Sequence, residues 1–140
     1  MSGEDLPTEI AERRLRSSWA VMEVMTRHSG RRLFHYRAET SDESAIRQIL
    51  VQRDYDVSNL SRAADVGAAY CRALKVGHQP LIIDAGANIG ASTLYLADAW
   101  PEARVIAIEP DADNLELLCS NTSGFPHVTC LRAALAAQTG

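Results

Sequence analysis

"LIIDAGANIG", residues 81–90, runs an apolar strand into an acid and then into a series of small residues. A strand that is apolar at successive positions is expected to be covered on both faces, the condition of a strand in a parallel sheet. Asp84 closes the strand, and Gly86, Ala87 and Gly90 leave little side chain between the backbone and whatever lies beyond it. Glycines at such a turn permit left-handed conformations and a close approach.

The pattern continues downstream. "ASTLYLADAW" (91–100) reads as a helix ended by Pro101, and "RVIAIE" (104–109) is a second continuous apolar strand. "DADNLELLCSN" (111–121) is a second helix and "HVTCLRAAL" (127–135) a third strand candidate. Strand and helix alternating through short connections predict a parallel α/β sheet with right-handed crossovers. Ligands bind such a sheet outside the carboxyl ends of its strands, where the N-terminus of the first helix offers free N–H groups and a positive dipole end.

Glu109 ends the second strand 25 residues after Asp84, where a carboxylate can accept hydrogen bonds from both hydroxyls of a ribose. The loop departs from the dinucleotide fingerprint, because Asn88 stands where the second glycine of GxGxxG would admit a pyrophosphate. A nicotinamide or flavin site is therefore disfavoured. Asp84 points the same way, since a carboxylate in the site repels a pyrophosphate and suits a cationic ligand.

Ahead of this region, Ile10, Leu15, Trp19, Met22 and Met25 predict an amphipathic helix over residues 7–28, ended by Gly30. Residues 33–37 read as a short strand. "TSDESAIRQIL" (40–50) reads as a short helix capped from Ser41. A further helix, capped by Asn59 or Ser61, reaches Lys75 with Ala64, Ala68, Cys71 and Leu74 on one side and Gly77 as its stop. The chain thus divides into a helical leading segment, residues 1–79, and an α/β unit, residues 80–140.

Composition narrows the function classes. A chain of 140 residues, 46% hydrophobic, suffices for one modest globular domain. The net charge is −4, and residues 81–140 carry two Arg against seven acids, so binding to a nucleic-acid backbone is not expected. The cluster Arg13, Arg14 and Arg16 shares its expected helix with Glu9, Glu12 and Glu23 and reads as a salt-bridged, solvated face. Cys71, Cys119 and Cys130 are odd in number and without CxxC spacing, which reads as three small core residues in a reducing compartment. With a polar, acidic start and no run of ~20 apolar residues, a cytoplasmic location and no membrane partner are expected. His28, His35, His78 and His127 lack the short spacing of a metal pair, so no metal site is expected.

"IIDAGANIGASTLYLA" with "ARVIAIEPDADNLELLCSN" resembles the FkbM-type family of S-adenosylmethionine-dependent methyltransferases, and "TSDESAIRQILVQRDYDV" resembles the segment before the cofactor loop in that family. The likeness covers roughly residues 40–136. It implies a Rossmann-like methyltransferase fold, a parallel sheet with helices on both faces preceded by N-terminal helices, and S-adenosylmethionine as cofactor. By the same resemblance Asp84, Gly86, Asn88 and Gly90 would surround the methionine part of the cofactor and Glu109 would hold the ribose. Asp111 would lie near the adenosine, while also reading as the cap of the helix that follows it.

The implied reaction is O-methylation of a sugar or secondary-metabolite hydroxyl on a small-molecule acceptor. No catalytic base is identifiable in the sequence; Tyr55 is a candidate to face the cofactor and reads equally as an ordinary aromatic. The chain departs from the family pattern at Ala137, where an acid is expected, and in ending soon after the third strand. It is expected to be the front half of such an enzyme, with "LIID" left as an apolar edge that a second copy or a complementing chain would complete. The alternative expectation is a non-catalytic nucleoside-binding fragment or an inactive truncated remnant.

Overall fold

The computed structural model describes residues 19–136. They open with a hairpin whose first strand stands where a helix is expected and whose second takes in most of the strand expected over residues 33–37. Strand β1 (Ala20–Thr26) runs antiparallel to β2 (Gly30–Tyr36), with Ala20 opposite Tyr36 and Thr26 opposite Gly30. Met22 and Val24 turn inward and Val21, Glu23 and Met25 outward, the period of two that a half-covered strand shows. The three-residue spacing of Trp19, Met22 and Met25 had imitated a helix face. The earlier part of that expected helix, with Arg13, Arg14 and Arg16, lies outside the described residues.

Helix α1 (Asp42–Ile46) continues into a π-helical turn, Arg47–Val51. Its first N–H, that of Asp42, is taken by the Thr40 hydroxyl at 3.2 Å, and the expected cap Ser41 makes no side-chain hydrogen bond. A 3₁₀ turn at Val57–Asn59 leads to α2 (Ala63–Lys75), which neither Asn59 nor Ser61 caps. Gly77, with φ +76°, ends α2 as expected, and the His78 amide bonds back to the Ala73 carbonyl at 2.8 Å. The face of α2 differs from the expected one. Tyr70 and Leu74 are partly covered while Ala64, Ala68 and Cys71 are exposed, because the Tyr70 ring packs edge-on against Trp100 at 4.7 Å.

Three parallel strands follow: β3 (Leu81–Ala85), β4 (Arg104–Ile108) and β5 (Val128–Leu131), in the order β3-β4-β5. They are joined by α3 (Ala91–Ala99) and α4 (Ala112–Thr122). Both crossovers step across the sheet in one direction, and right-handed crossovers taken in one direction lay their helices on one face. Asp84, Val105 and Ala107 are accordingly buried, whereas Leu81 and Ile83 on β3 are 56% and 57% exposed. Among the described residues the sheet is flanked by helices, with the two crossover helices on the face that buries Asp84, Val105 and Ala107.

The hairpin and the sheet share one core. Val24 and Phe34 from the hairpin, Ile46 from α1, and Ile89, Leu94, Val105, Leu117 and Phe125 form a single buried cluster. Two polar side chains tie the hairpin down. Asp98 at the end of α3 accepts the His28 and Ser29 amides at 2.9 and 2.7 Å, and Asn121 on α4 bonds both main-chain groups of His35 and the Ile89 carbonyl.

The cysteines differ from expectation as well. Cys71 and Cys119 are exposed and Cys130 half-buried, so they are surface and boundary thiols rather than core residues, and all three are free. Among the described residues no helix is long and apolar enough to cross a membrane.

Candidate functional site

The turn from β3 to α3 is held by the strand beside it. The Ile108 carbonyl, at the end of β4, accepts the Gly86 and Ala87 amides at 2.9 and 3.0 Å. Gly86 takes φ +74°, Asn88 +52° and Gly90 +96°, so three of the five residues between strand and helix are left-handed. Glycine does this freely, and asparagine is among the side chains that tolerate it best.

The two glycines serve different neighbours. A Cβ on Gly90 would stand 2.9 Å from Leu118 Cδ1 and 3.3 Å from Leu118 Cα, so its bareness lets α3 start against α4. A Cβ on Gly86 would meet nothing within 4 Å. Gly86 and Ala85 are exposed, and open space lies in front of them at the carboxyl end of the sheet.

Two buried carboxylates hold this turn. Asp84 Oδ2 accepts the Ser92 hydroxyl at 2.8 Å and the Thr93 hydroxyl at 2.6 Å, which ties the last turn of β3 to the first turn of α3. Glu109, 5% exposed, accepts the Asn88 amide at Oε2 (2.8 Å) and the Asp111 amide at Oε1 (3.0 Å). Glu109 therefore spans the β3–α3 loop and the β4–α4 turn. A carboxylate offers about four acceptor positions, so its oxygens keep capacity for further donors.

Asp111 is exposed and caps α4, its Oδ1 accepting the Asn114 amide at 2.9 Å. Asp84, Gly86, Asn88 and Glu109 thus all belong to the β3–α3 turn or bond to it or to the start of α3, the Asp111 amide bonds Glu109 from the neighbouring turn, and Gly90 packs against α4. Tyr55 sits in an exposed stretch, 48% accessible. Of the histidines, His127 contacts the Ala97 carbonyl at 3.1 Å, and the Nδ1 of His35 is buried without a hydrogen-bond partner. Among the described residues no three His, Cys, Asp or Glu side chains lie close enough together to hold a metal ion.

Several residues around the opening lie beyond the reach of sequence reasoning. Arg37, just past β2, grips Asp42 through Nε at 2.8 Å and Nη2 at 3.0 Å, and its Nη2 also donates to Asn114 Oδ1 at 2.6 Å. The hydrogen bond to Asp42 raises the Arg37 pKa, with burial acting against it. For Asp42, burial pushes upward most strongly, but the bonds from Arg37 prevail and hold the carboxyl below its usual range. Ser92 and Thr93 could have been suspected from the hydroxyls in "GAST". Arg37 and Asn114 carry no local signal, because they meet across 77 positions of chain.

Fold and site together define an α/β unit compatible with part of a Rossmann-like fold, with a glycine turn and two acids at its carboxyl edge. No model of a known protein family matches the chain. Over 113 residues it is 27% identical to a protein named Methyltransferase sdnD, from Sordaria araneosa; the match takes in 78% of this chain and 38% of that protein. The chain spans well under half the length of that relative. At this distance the similarity is to a methyltransferase and reaches no finer class.

Proposed function

We propose that the chain forms the cofactor-binding part of an S-adenosylmethionine-dependent methyltransferase of the FkbM type, acting on a hydroxyl of a sugar or secondary metabolite. The observation that carries this reading is the Glu109 carboxylate, buried at the end of β4 and bonded to the Asn88 amide across the strand-to-helix loop. The residues fit the cofactor. Open space faces the bare, left-handed Gly86, and the side chains nearest the ends of β3 and β4 are the carboxylates of Asp84 and Glu109, which suit a cationic ligand better than a pyrophosphate.

When bound, the cofactor supplies a methyl group on a positively charged sulfur. Glu109 would hold the ribose by accepting a hydroxyl at Oε2, where a lone pair remains beside the Asn88 amide. Asp84, fixed by Ser92 and Thr93, would set negative charge beside the sulfonium and aminium groups. Gly86 would leave room for the methionine part, with Asn88 holding the loop on Glu109 and Gly90 letting the helix start close by. Asp111 would border the adenosine while capping α4. Methyl transfer needs chiefly alignment of acceptor, methyl and sulfur with water excluded, and this reading assigns no general base. A second copy or a complementing chain would cover the open sheet face, and three free cysteines suit a cytoplasmic protein.

Thermal unfolding of the 140-residue chain with S-adenosylhomocysteine tests the reading. A ligand that binds only the folded state at a hundred times its Kd adds about 2.7 kcal/mol, which raises Tm by several degrees. The rise should vanish in Glu109→Ala. No shift in the wild type at saturating ligand would sink the proposal. A shift without methyl transfer to any hydroxyl acceptor would instead mark a nucleoside-binding unit without catalysis.

A further inference from the structure

We infer that Arg37 and Asn114 are positioning residues for Glu109, holding its carboxylate in the orientation that a ribose hydroxyl requires. This rests on the reading of the site as an adenosyl site. The amide of Asn114 lies between a guanidinium and a carboxylate. Arg37 only donates and Glu109, ionised, only accepts, so one orientation of the amide satisfies both. In that orientation Oδ1 receives Arg37 Nη2 at 2.6 Å, and Nδ2 faces Glu109 Oε1 at 3.5 Å, the long limit of a hydrogen bond.

The other end of the relay is anchored. Asp42, 2% exposed, takes the Arg37 main-chain amide at 3.0 Å besides the two guanidinium bonds, so the planar fork has one setting. The Arg37–Asp42 pair alone would fasten β2 to α1. The additional reach of Nη2 to Asn114 extends that anchor to the first turn of α4, beside the Asp111 amide that Glu109 also accepts. A carboxylate held at both oxygens by main-chain amides can still tilt about them, and the Asn114 amide opposes that tilt. The hairpin end and α1 are thereby connected to the ribose-binding acid.

The test uses the full chain with two probes, S-adenosylhomocysteine and its 2′-deoxy analogue, in titration calorimetry, with ligand-free Tm measured alongside. Asn114→Asp is the discriminating variant. It keeps an acceptor for Arg37 but sets a carboxylate oxygen where the donor faced Glu109 Oε1, so the two acids repel; Asn114→Leu, which removes the donor without adding charge, is measured beside it, and a merely structural role lowers the ligand-free Tm of both without changing the ribo-over-deoxyribo preference. As a positioning residue its loss costs about tenfold in affinity for S-adenosylhomocysteine, the scale of one hydrogen bond to a charged group. It also narrows the preference for the ribo over the deoxyribo probe. Arg37→Met should act in the same direction, more weakly per degree of Tm lost. Wild-type affinity and wild-type ribose preference in Asn114→Asp would overturn the inference while leaving the adenosyl site standing. No binding by the wild type would overturn both.

Discussion

Asp98 and Asp42 hold opposite ends of the hairpin by the same means. Burial is the largest influence on each carboxyl and pushes it up. The hydrogen bonds outweigh it in sum, from the Ser29 and His28 groups at Asp98 and from Arg37 at Asp42, so both acids titrate below the usual carboxylate range. A carboxyl that binds its proton less tightly when folded contributes its full stability above the unfolded pKa of about 3.9, and loses it as pH falls through the lower folded value. Asp98→Asn is therefore expected to cost about 1.5–3 kcal/mol at pH 7, the range for hydrogen bonds to a charged group. Urea unfolding should find the gap to wild type shrinking as pH falls below about 4. A gap as wide at pH 3 as at pH 7 would show that the charge of Asp98 contributes nothing.

At the scale of elements, the turn between β3 and α3 separates two uses of glycine. Gly90→Ala must place a Cβ against Leu118 at a left-handed φ, so strain and overpacking add, to about 2–4 kcal/mol of lost stability. Gly86→Ala meets no neighbour and carries only the conformational cost, about 1–2 kcal/mol, but fills the space in front of the loop. Denaturant unfolding with ligand titration should find Gly90→Ala the less stable variant and Gly86→Ala the weaker binder per kcal/mol lost. The reverse order would misplace the opening.

The same turn was legible in the sequence, since short connections between apolar strands and capped helices are local signals. So were the three strands, both crossover helices and the parallel order. The second strand of the hairpin was read at residues 33–37, but the first was not, because Trp19, Met22 and Met25 fit a helical spacing while Val24 and Phe34 are buried by elements far along the chain. The exposure of Cys71 and Cys119 was hidden for a like reason: sequence reports that a residue is apolar, and neighbours in space decide whether it is covered. Around the site, Glu109 and Asp84 announced themselves by position at strand ends. Arg37 and Asn114 did not, since their meeting depends on the hairpin packing over α4.

At the scale of the whole fold, among the described residues the crossover helices cover one side of the sheet and β3 leaves Leu81 and Ile83 exposed on the other, and this sets where substitutions matter. Leu94, 1% exposed on the covered side, lies in the cluster that hairpin, sheet and helices share. Leu94→Ala should cost about 2–5 kcal/mol. Ile83, 57% exposed on the opposite side of β3, has little packing to lose, so Ile83→Lys should stay within about 0.5 kcal/mol of wild type. The open face has a second consequence. Leu81 and Ile83 lie on an edge strand whose outer N–H and C=O groups have no strand to pair with among the described residues, a surface that invites association. A lysine at Ile83 places charge in the middle of that surface, and charge is how natural sheets keep edges apart. Sedimentation velocity across a concentration series should therefore show self-association in the wild type that Ile83→Lys abolishes without loss of fold. If Ile83→Lys unfolds the chain as Leu94→Ala does, the second face of the sheet is covered after all, and the one-sided arrangement that right-handed crossovers impose is incomplete as an account of this molecule.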